Sequence, residues 1–279
     1  MKKYFKLFML MLLVFSYSYA GVMPETDWKV KKLNGKVKSM IKTEYEYDSS
    51  GKLEKTRLTE TYFNEQGYIT DEVQYVDNRL NQSIIYKNNS DGLPIKKDEV
   101  SRRYSYKYEE TKDGNLLVTI KEEYVDKKNF PSLEKITYNK NGKKVHDLFY
   151  SGEELITNDT YIYNKKGDLI EIKNNIFPEN SIKITYNYKA NGDYEKTTDV
   201  ATAKWTYLYD KNGNEKEYIS MIKQGSQGKP KISIYLKFKD ITRDEYGNLT
   251  RNTSVRYDYS KKKESSIYKK LENKYEYYK

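Results

Sequence analysis

A five-residue step, an aromatic residue with Gly at the fifth place, recurs along this chain and dictates most of what it can fold into. It reads YDSSG over 47–51, FNEQG over 63–67, YNKNG over 138–142, YNKKG over 163–167, YKANG over 188–192 and YDKNG over 209–213. Looser copies end at Gly92, Gly114 and Gly247. Successive glycines from Gly51 lie 16, 25, 22, 28, 25, 25, 21 and 34 residues apart. In such a step an Asp or Asn side chain bonds backbone just ahead of it and Gly takes positive φ, which makes a short hairpin loop. Gly51, Gly67, Gly92, Gly114, Gly142, Gly167, Gly192, Gly213 and Gly247 are therefore the structural turn glycines.

Between the steps the pattern has period two. Ile182, Ile184, Tyr186 and Tyr188 face one way, and Lys183, Thr185 and Asn187 the other. Trp205, Tyr207 and Tyr209 alternate alike, as do Tyr104, Tyr106 and Tyr108, and Ile232, Ile234, Leu236 and Phe238. Alternation over this length is a strand with one covered face. Each repeat is thus a hairpin, and about nine hairpins stack edge to edge. The fold expected is all-β: consecutive antiparallel β-hairpins in an extended, twisted or curled single-layer sheet. Longer connections fall at 129–132, 174–180 and 224–230. No stretch after residue 20 has helical periodicity.

Composition bears on how thick the core can be. Leu, Ile, Val and Phe together make 59 of 279 residues, close to the roughly 20% at which chains tend to stay unfolded. The 31 tyrosines shift the balance, because a Tyr ring buries apolar area while its hydroxyl stays wet. A thin core with half-buried aromatic faces follows.

Residues 1–20 read as a secretory signal peptide. Lys2, Lys3 and Lys6 precede an apolar run from Leu7 to Phe15, and Ser18-Tyr19-Ala20 gives small residues at the cleavage positions. Cleavage after Ala20 leaves 21–279 and takes the charge from +10 to +7. The run is too short to cross a membrane, and no later segment is apolar enough to span one. The expected location is exported: periplasmic, associated with the outer surface, or secreted. The absence of Cys fits a bacterial envelope or secreted protein. Residues 21–279 form one array: a cap strand region over about 28–46, repeats over 47–259, and a C-terminal edge strand over 260–279.

Tyr47-Asp48-x-x-Gly51-Lys52-Leu53 and Tyr209-Asp210-Lys211-Asn212-Gly213-Asn214 resemble the YD repeat of the RHS family. The chain is similar to short exported bacterial proteins carrying degenerate copies of that unit. The resemblance implies β sheets that spiral, and surface contact with ligands. A second resemblance, to MORN-type hairpin repeats, implies an immunity or antitoxin-like partner protein.

Composition excludes disulfide scaffolds, Cys nucleophiles and any site needing two histidines, since Cys is absent and His146 stands alone. His146 and Asp147 are adjacent on a strand and so point to opposite faces. Asp210, Asn212 and Asn214 mimic the start of a calcium loop, but Glu215 occupies the place of its Gly. No catalytic residue, cofactor or metal ligand is nominated. Lysines interleaved with Glu, as at Lys121-Glu122-Glu123, read as a solvated face and not as a nucleic-acid surface. The candidate contact face is aromatic: Tyr186, Tyr188, Trp205, Tyr207 and Tyr209. The function expected is a non-enzymatic binding scaffold of the envelope, contacting a glycan or a protein partner. A carbohydrate-active enzyme, which would need two facing carboxylates in a cleft, ranks last.

Overall fold

The computed structural model describes residues 22–126, 130–223, 231–258 and 261–279. The expected signal segment over residues 1–20, with its cleavage point at Ala20–Gly21, and the 224–230 connection lie outside them. Among the described residues there are eighteen strands. The first six are β1 (Val37–Tyr47), β2 (Leu53–Phe63), β3 (Ile69–Val76), β4 (Arg79–Asn88), β5 (Pro94–Asp98) and β6 (Arg102–Glu110). Then come β7 (Leu116–Tyr124), β8 (Ser132–Tyr138), β9 (Lys144–Ser151), β10 (Glu154–Tyr163), β11 (Leu169–Asn174) and β12 (Ile182–Tyr188). The last are β13 (Tyr194–Asp199), β14 (Ala203–Tyr209), β15 (Glu215–Ile222), β16 (Lys231–Arg243), β17 (Leu249–Asp258) and β18 (Lys263–Tyr277). One α-helical turn, α1 (Asp27–Val30), precedes them, capped by the Thr26 side chain.

Each strand pairs antiparallel with the next, and β18 pairs with β1. The sheet therefore closes into an 18-stranded barrel, and the expected open, extended sheet is corrected. So is the C-terminal edge strand: β18 is flanked by β17 and β1, with Met40 opposite Tyr275 and Glu44 opposite Leu271. Closure removes both edges, which an open sheet of this size would leave unpaired. The proposed cap region is also divided. Its strand portion is β1, a full member of the ring, and its first residues form α1.

All nine turn glycines have positive φ, from 72° to 90°. An Asx side chain closes seven of the nine loops, as where Asn139 Oδ1 accepts from Asn141 N at 3.0 Å and Lys143 N at 3.1 Å; Thr111 does so before Gly114, and Lys189 holds that place before Gly192. The loops are not all equivalent, however. Only β1 lies between the start of the ring and the Gly51 turn, and only β2 separates Gly51 from Gly67. Strand alternation then puts Gly51 at one end of the barrel and the other eight turns at the opposite end, hereafter the turn end. The 16-residue first spacing is one strand, and the spacings near 25 are two.

Residues 22–36 lie across the turn end. Trp28 packs on Phe63 and beside Gly67 and donates its Nε1–H to Val37 O at 2.8 Å. Asp27 accepts from Ile69 N at 2.7 Å, and Tyr68 donates to Pro24 O at 3.1 Å. Asn248, 2% exposed, bonds both the N–H and the C=O of Asn34. Seven of the buried apolar residues form two small clusters. One gathers Val37, Met40, Phe63 and Ile69 under Trp28, and the other Leu116, Val118 and Ile136 under Val22. Both clusters are covered by the N-terminal segment, which does what a thick core would otherwise do.

That arrangement separates glycines of identical sequence context. A Cβ on Gly51 would meet nothing within 4 Å, whereas on Gly67 it would lie 2.6 Å from the Trp28 ring and on Gly142 2.5 Å from Met23 O. Gly51→Ala is expected to cost about 1–2 kcal/mol, the left-handed strain alone. Gly67→Ala and Gly142→Ala add overpacking of about 1–3 kcal/mol. Thermal melts of the three variants should rank that way, and equal losses would mean that the N-terminal segment does not seat on the turns.

Candidate binding chamber

The closed ring gives every strand an inner and an outer face. Residues of seven successive strands, β13 to β18 and β1, share one chamber with the N-terminal segment. A single cavity spanning so wide an arc of a closed wall lies on its concave, inner side. Met40, Lys42, Leu271, Asn273, Tyr275, Tyr194 and Tyr209 therefore point inward. Register then assigns the neighbours. Tyr188 faces Tyr194, Tyr186 faces Lys196, and Tyr194 faces Tyr209 on the inner wall, while Lys183, Asp199, Asn187 and Glu195 face out. Around β6 and β7 the inner residues are Tyr104, Tyr106 and Tyr108 against Glu122, Ile120 and Val118. The outer ones are Arg103, Lys107 and Glu109 against Glu123, Thr119 and Leu117.

The aromatic residues singled out in the sequence thus share the inner wall. Tyr186, Tyr188, Tyr194, Tyr209, Tyr207 and Tyr218 form a continuous row, with ring centroids 6.3, 5.7, 4.6, 6.1 and 4.7 Å apart in that order. Tyr194 and Tyr218 were not anticipated as members. Each was legible as a strand residue near a turn, but register alone brings it into the row. Trp205 lies on the same face, between Thr198 and Ser220, without joining the stack. Burial pushes the hydroxyls of Tyr186, Tyr194, Tyr207 and Tyr209 above their ordinary range, so they stay protonated donors.

The middle of the row, Tyr194 and Tyr209, lines the chamber, a cavity of about 790 Å³ roofed by residues 29–34. Lys29, Lys31, Lys32, Lys42 and Arg243 contribute positive charge, against the single carboxylate of Glu215. Asn34, Asn212, Asn214, Asn252 and Asn273 supply amides, and Tyr194, Tyr209 and Tyr275 supply rings. Arg243 is held by its Nε–H to Asn214 Oδ1 at 2.7 Å and by the Gly247 carbonyl. Asn273 donates to Leu249 O at 2.7 Å, but its buried Oδ1 has no partner. Burial, reinforced by repulsion from Lys32, lowers the nearby Lys196 ammonium. Burial raises the Glu215 carboxyl, and Lys32 offsets part of that rise. Lys29, Lys31 and Lys42 are ion-paired with Glu25, Glu72 and Glu44 at 2.8, 3.9 and 3.1 Å, so the surplus positive field of the chamber comes from Lys32 and Arg243, which form no ion pair among the described residues.

A second polar cluster, not foreseen from the residues alone, sits further round the inner wall. Asp147 lies opposite both Ile136 and Asp159. Lys144 Nζ is 2.7 Å from Asp147 Oδ2 and 3.9 Å from Glu134. Burial first, and the Asp147 charge second, raise the Glu134 and Asp159 carboxyls, while Lys144 opposes the rise at both. Among the described residues no group of three or more His, Cys, Asp or Glu is placed to hold a metal ion.

The remaining sequence features resolve as local chemistry. His146 is on the outer face, opposite Thr160, with Nε2 2.9 Å from Asn158 Oδ1, and Asp147 points the other way. Asp210 Oδ1 accepts from Asn212 N at 2.8 Å and Asn214 N at 2.9 Å, an Asx turn.

No protein-family model matches the chain, and no curated protein matches it significantly. Among solved structures it is similar to a porin-like protein from Bacteroides uniformis, at a TM-score of 0.50 and 12% identity over 92% of this chain and 100% of that one. At that identity the likeness shows the fold alone. A structure of TcdB2-TccC3 with Cdc42 aligns at a TM-score of 0.29 and 12% identity, over 80% of this chain and 16% of that one. That score is too low to bear on the fold or the site. No helix among the described residues is long and apolar enough to cross a membrane.

Proposed function

We propose that the chain is an exported, non-enzymatic binding protein whose barrel holds an anionic glycan in the chamber beneath its N-terminal segment. The lining of that chamber carries the reading: Lys32 and Arg243, two cations in no ion pair among the described residues, set among amides and tyrosine rings. Sugar hydroxyls both donate and accept, and an Asn side chain offers one of each. The flat C–H face of a sugar stacks on Tyr, and surplus positive charge selects a carboxylate or sulfate on the sugar. The orphaned Asn273 Oδ1 is an acceptor that a hydroxyl would satisfy.

The outer face supports a barrel standing in water. A lipid-facing wall needs an apolar belt and strands of about 9–11 residues. Here Lys107 and Lys121 lie outward in the middle of the wall, Arg103 and Glu123 lie outward nearer its edge, and β5, β11 and β13 have five or six residues. Export rests on the 1–20 segment, and mass spectrometry of the exported protein should find Gly21 first.

Calorimetric titration of residues 21–279 with an oligogalacturonate, and with its uncharged galactose counterpart, tests the binding. The acidic sugar should bind with Kd of order 10 μM and the neutral one about tenfold more weakly. Lys32→Ala combined with Arg243→Ala should remove most of that preference. Equal affinity for the two sugars, or no heat from either, would overturn the reading.

A further inference from the structure

The seam between β11 and β12 is the thinnest in the ring. The two strands share only two registered pairs, Glu171 with Lys183 and Ile172 with Ile182, where β6 and β7 share nine. Both strands nevertheless continue toward the turn end. From Ile184 to Tyr188, β12 has ladder partners on its β13 side only. Leu169, where β11 begins, is paired to β10 only.

Between the two strands lies a cavity of about 670 Å³. Ile170, Ile184 and Tyr186 line it from the inner face, and Glu171 and Lys183 from the outer. A cavity bounded by both faces of a single-layer wall passes through that wall. A strand edge left without a neighbour presents a row of backbone donors and acceptors, the template for an added strand.

We propose that this slot is a docking site for an extended peptide, which adds to the free edge of β12 as a further strand. The edge from Ile184 to Tyr188 is about 17 Å long at 3.4 Å per residue, enough for about five peptide residues. The peptide's inward side chains meet Ile170, Ile184 and Tyr186 and should be apolar. Its outward side chains meet exposed Lys165, Lys166 and Lys183, with Glu171 the opposing charge. Asp168 is already occupied by Asn164 and the Tyr188 hydroxyl. Lys166 Nζ stands 4.1 Å from the Tyr188 ring centroid, which fixes one cation at the mouth of the slot. The occupant is accordingly a peptide that alternates acidic and apolar residues. This inference does not rest on the chamber or on its ligand.

The test uses residues 21–279 and a fluorescein-labelled peptide of about seven residues alternating Glu and Val. Anisotropy should show saturable binding, about tenfold weaker for the same peptide with Lys in place of Glu. A peptide with Pro at alternate positions should not bind, because it cannot form the ladder. Hydrogen exchange should slow at those amides of 184–188 that face the slot. Lys165→Glu, Lys166→Glu and Lys183→Glu combined should reverse the preference between the two charged peptides, and these exposed changes should leave the melting temperature nearly unchanged. Three results would each overturn the proposal: equal affinity for the Glu and Lys peptides, protection elsewhere in the barrel, or no binding at peptide concentrations up to about 1 mM.

Discussion

A chain ending at Lys223 is expected to have no cooperative thermal transition. Such a truncation removes β16, β17 and β18. It strips β1 of the nine partners that run from Tyr277 to Lys269, and β15 of its outer neighbour. Two long edges would open at once, each a row of unpaired backbone groups. Asn248 would be lost with its grip on Asn34, and Tyr275 and Tyr277 would leave the cluster around Val37 and Met40. A linear stack of hairpins behaves otherwise, because its contacts are between neighbours and a shortened array keeps the stability of what remains. Circular dichroism melts with a hydrophobic dye should therefore show strong dye binding and a broad, shallow slope. A sharp transition in the fragment would mean that the β1–β18 seam contributes little.

Lys144→Met should cost about 3 kcal/mol or more at neutral pH, the usual loss when one partner of a buried charge pair is removed. The ammonium is the cation the cluster relies on: Asp147 lies at 2.7 Å and Glu134 at 3.9 Å. Met fills the same space with no charge and leaves Glu134, Asp147 and Asp159 repelling one another across adjacent strands. The sign of the pH dependence follows from the raised Glu134 and Asp159 carboxyls. A group whose folded pKa lies above its unfolded value takes up a proton more readily when folded, so falling pH favours the folded state through that window. In the variant, with the opposing Lys144 charge gone, the effect is larger. The difference in melting temperature between wild type and variant should therefore shrink as pH falls from 7 toward the ordinary carboxyl range near 4.5. A difference that stays constant or grows would show that Lys144 stabilises by packing alone. Comparing the two proteins at each pH cancels the weakening of ion pairs such as Glu44 with Lys269, which both share.

The hairpins and their faces were legible because their causes are local. A Gly at positive φ behind an Asx side chain, or Tyr at every second position, marks itself within a few residues. The two-residue turn at Asp77–Asn78, with both residues at positive φ, is equally local, yet it passed unmarked because neither residue is Gly. Closure is of another kind. Tyr275-Glu276-Tyr277-Tyr278 reads as a strand, but nothing in its alternation says that Met40, more than 200 residues away, is its neighbour. The chamber was hidden for the same reason. Its cations come from residues 29–32, 42 and 243, and its amides from turns and strands scattered along the chain. No spacing rule links them. The acid cluster depends on register, since Asp147 and Asp159 are an ordinary pair of surface carboxylates until β9 and β10 are aligned. Even the nine turn glycines, alike in sequence, divide into two ends only once strands are counted between them.

Ring closure turns the repeat number into a matter of calibre. In an open array, duplicating one hairpin makes a longer protein with the same cross-section. In a closed one, two more strands at about 4.8 Å each widen the circumference by about 10 Å and the diameter by about 3 Å. The N-terminal segment has a fixed reach, from Met23 beside the Gly142 turn to Asn34 on Asn248. A barrel one hairpin wider would outgrow its own lid. Variation in hairpin number among chains of this design is thus tied to variation in the length of the segment that precedes β1, and the two are expected to change together or not at all.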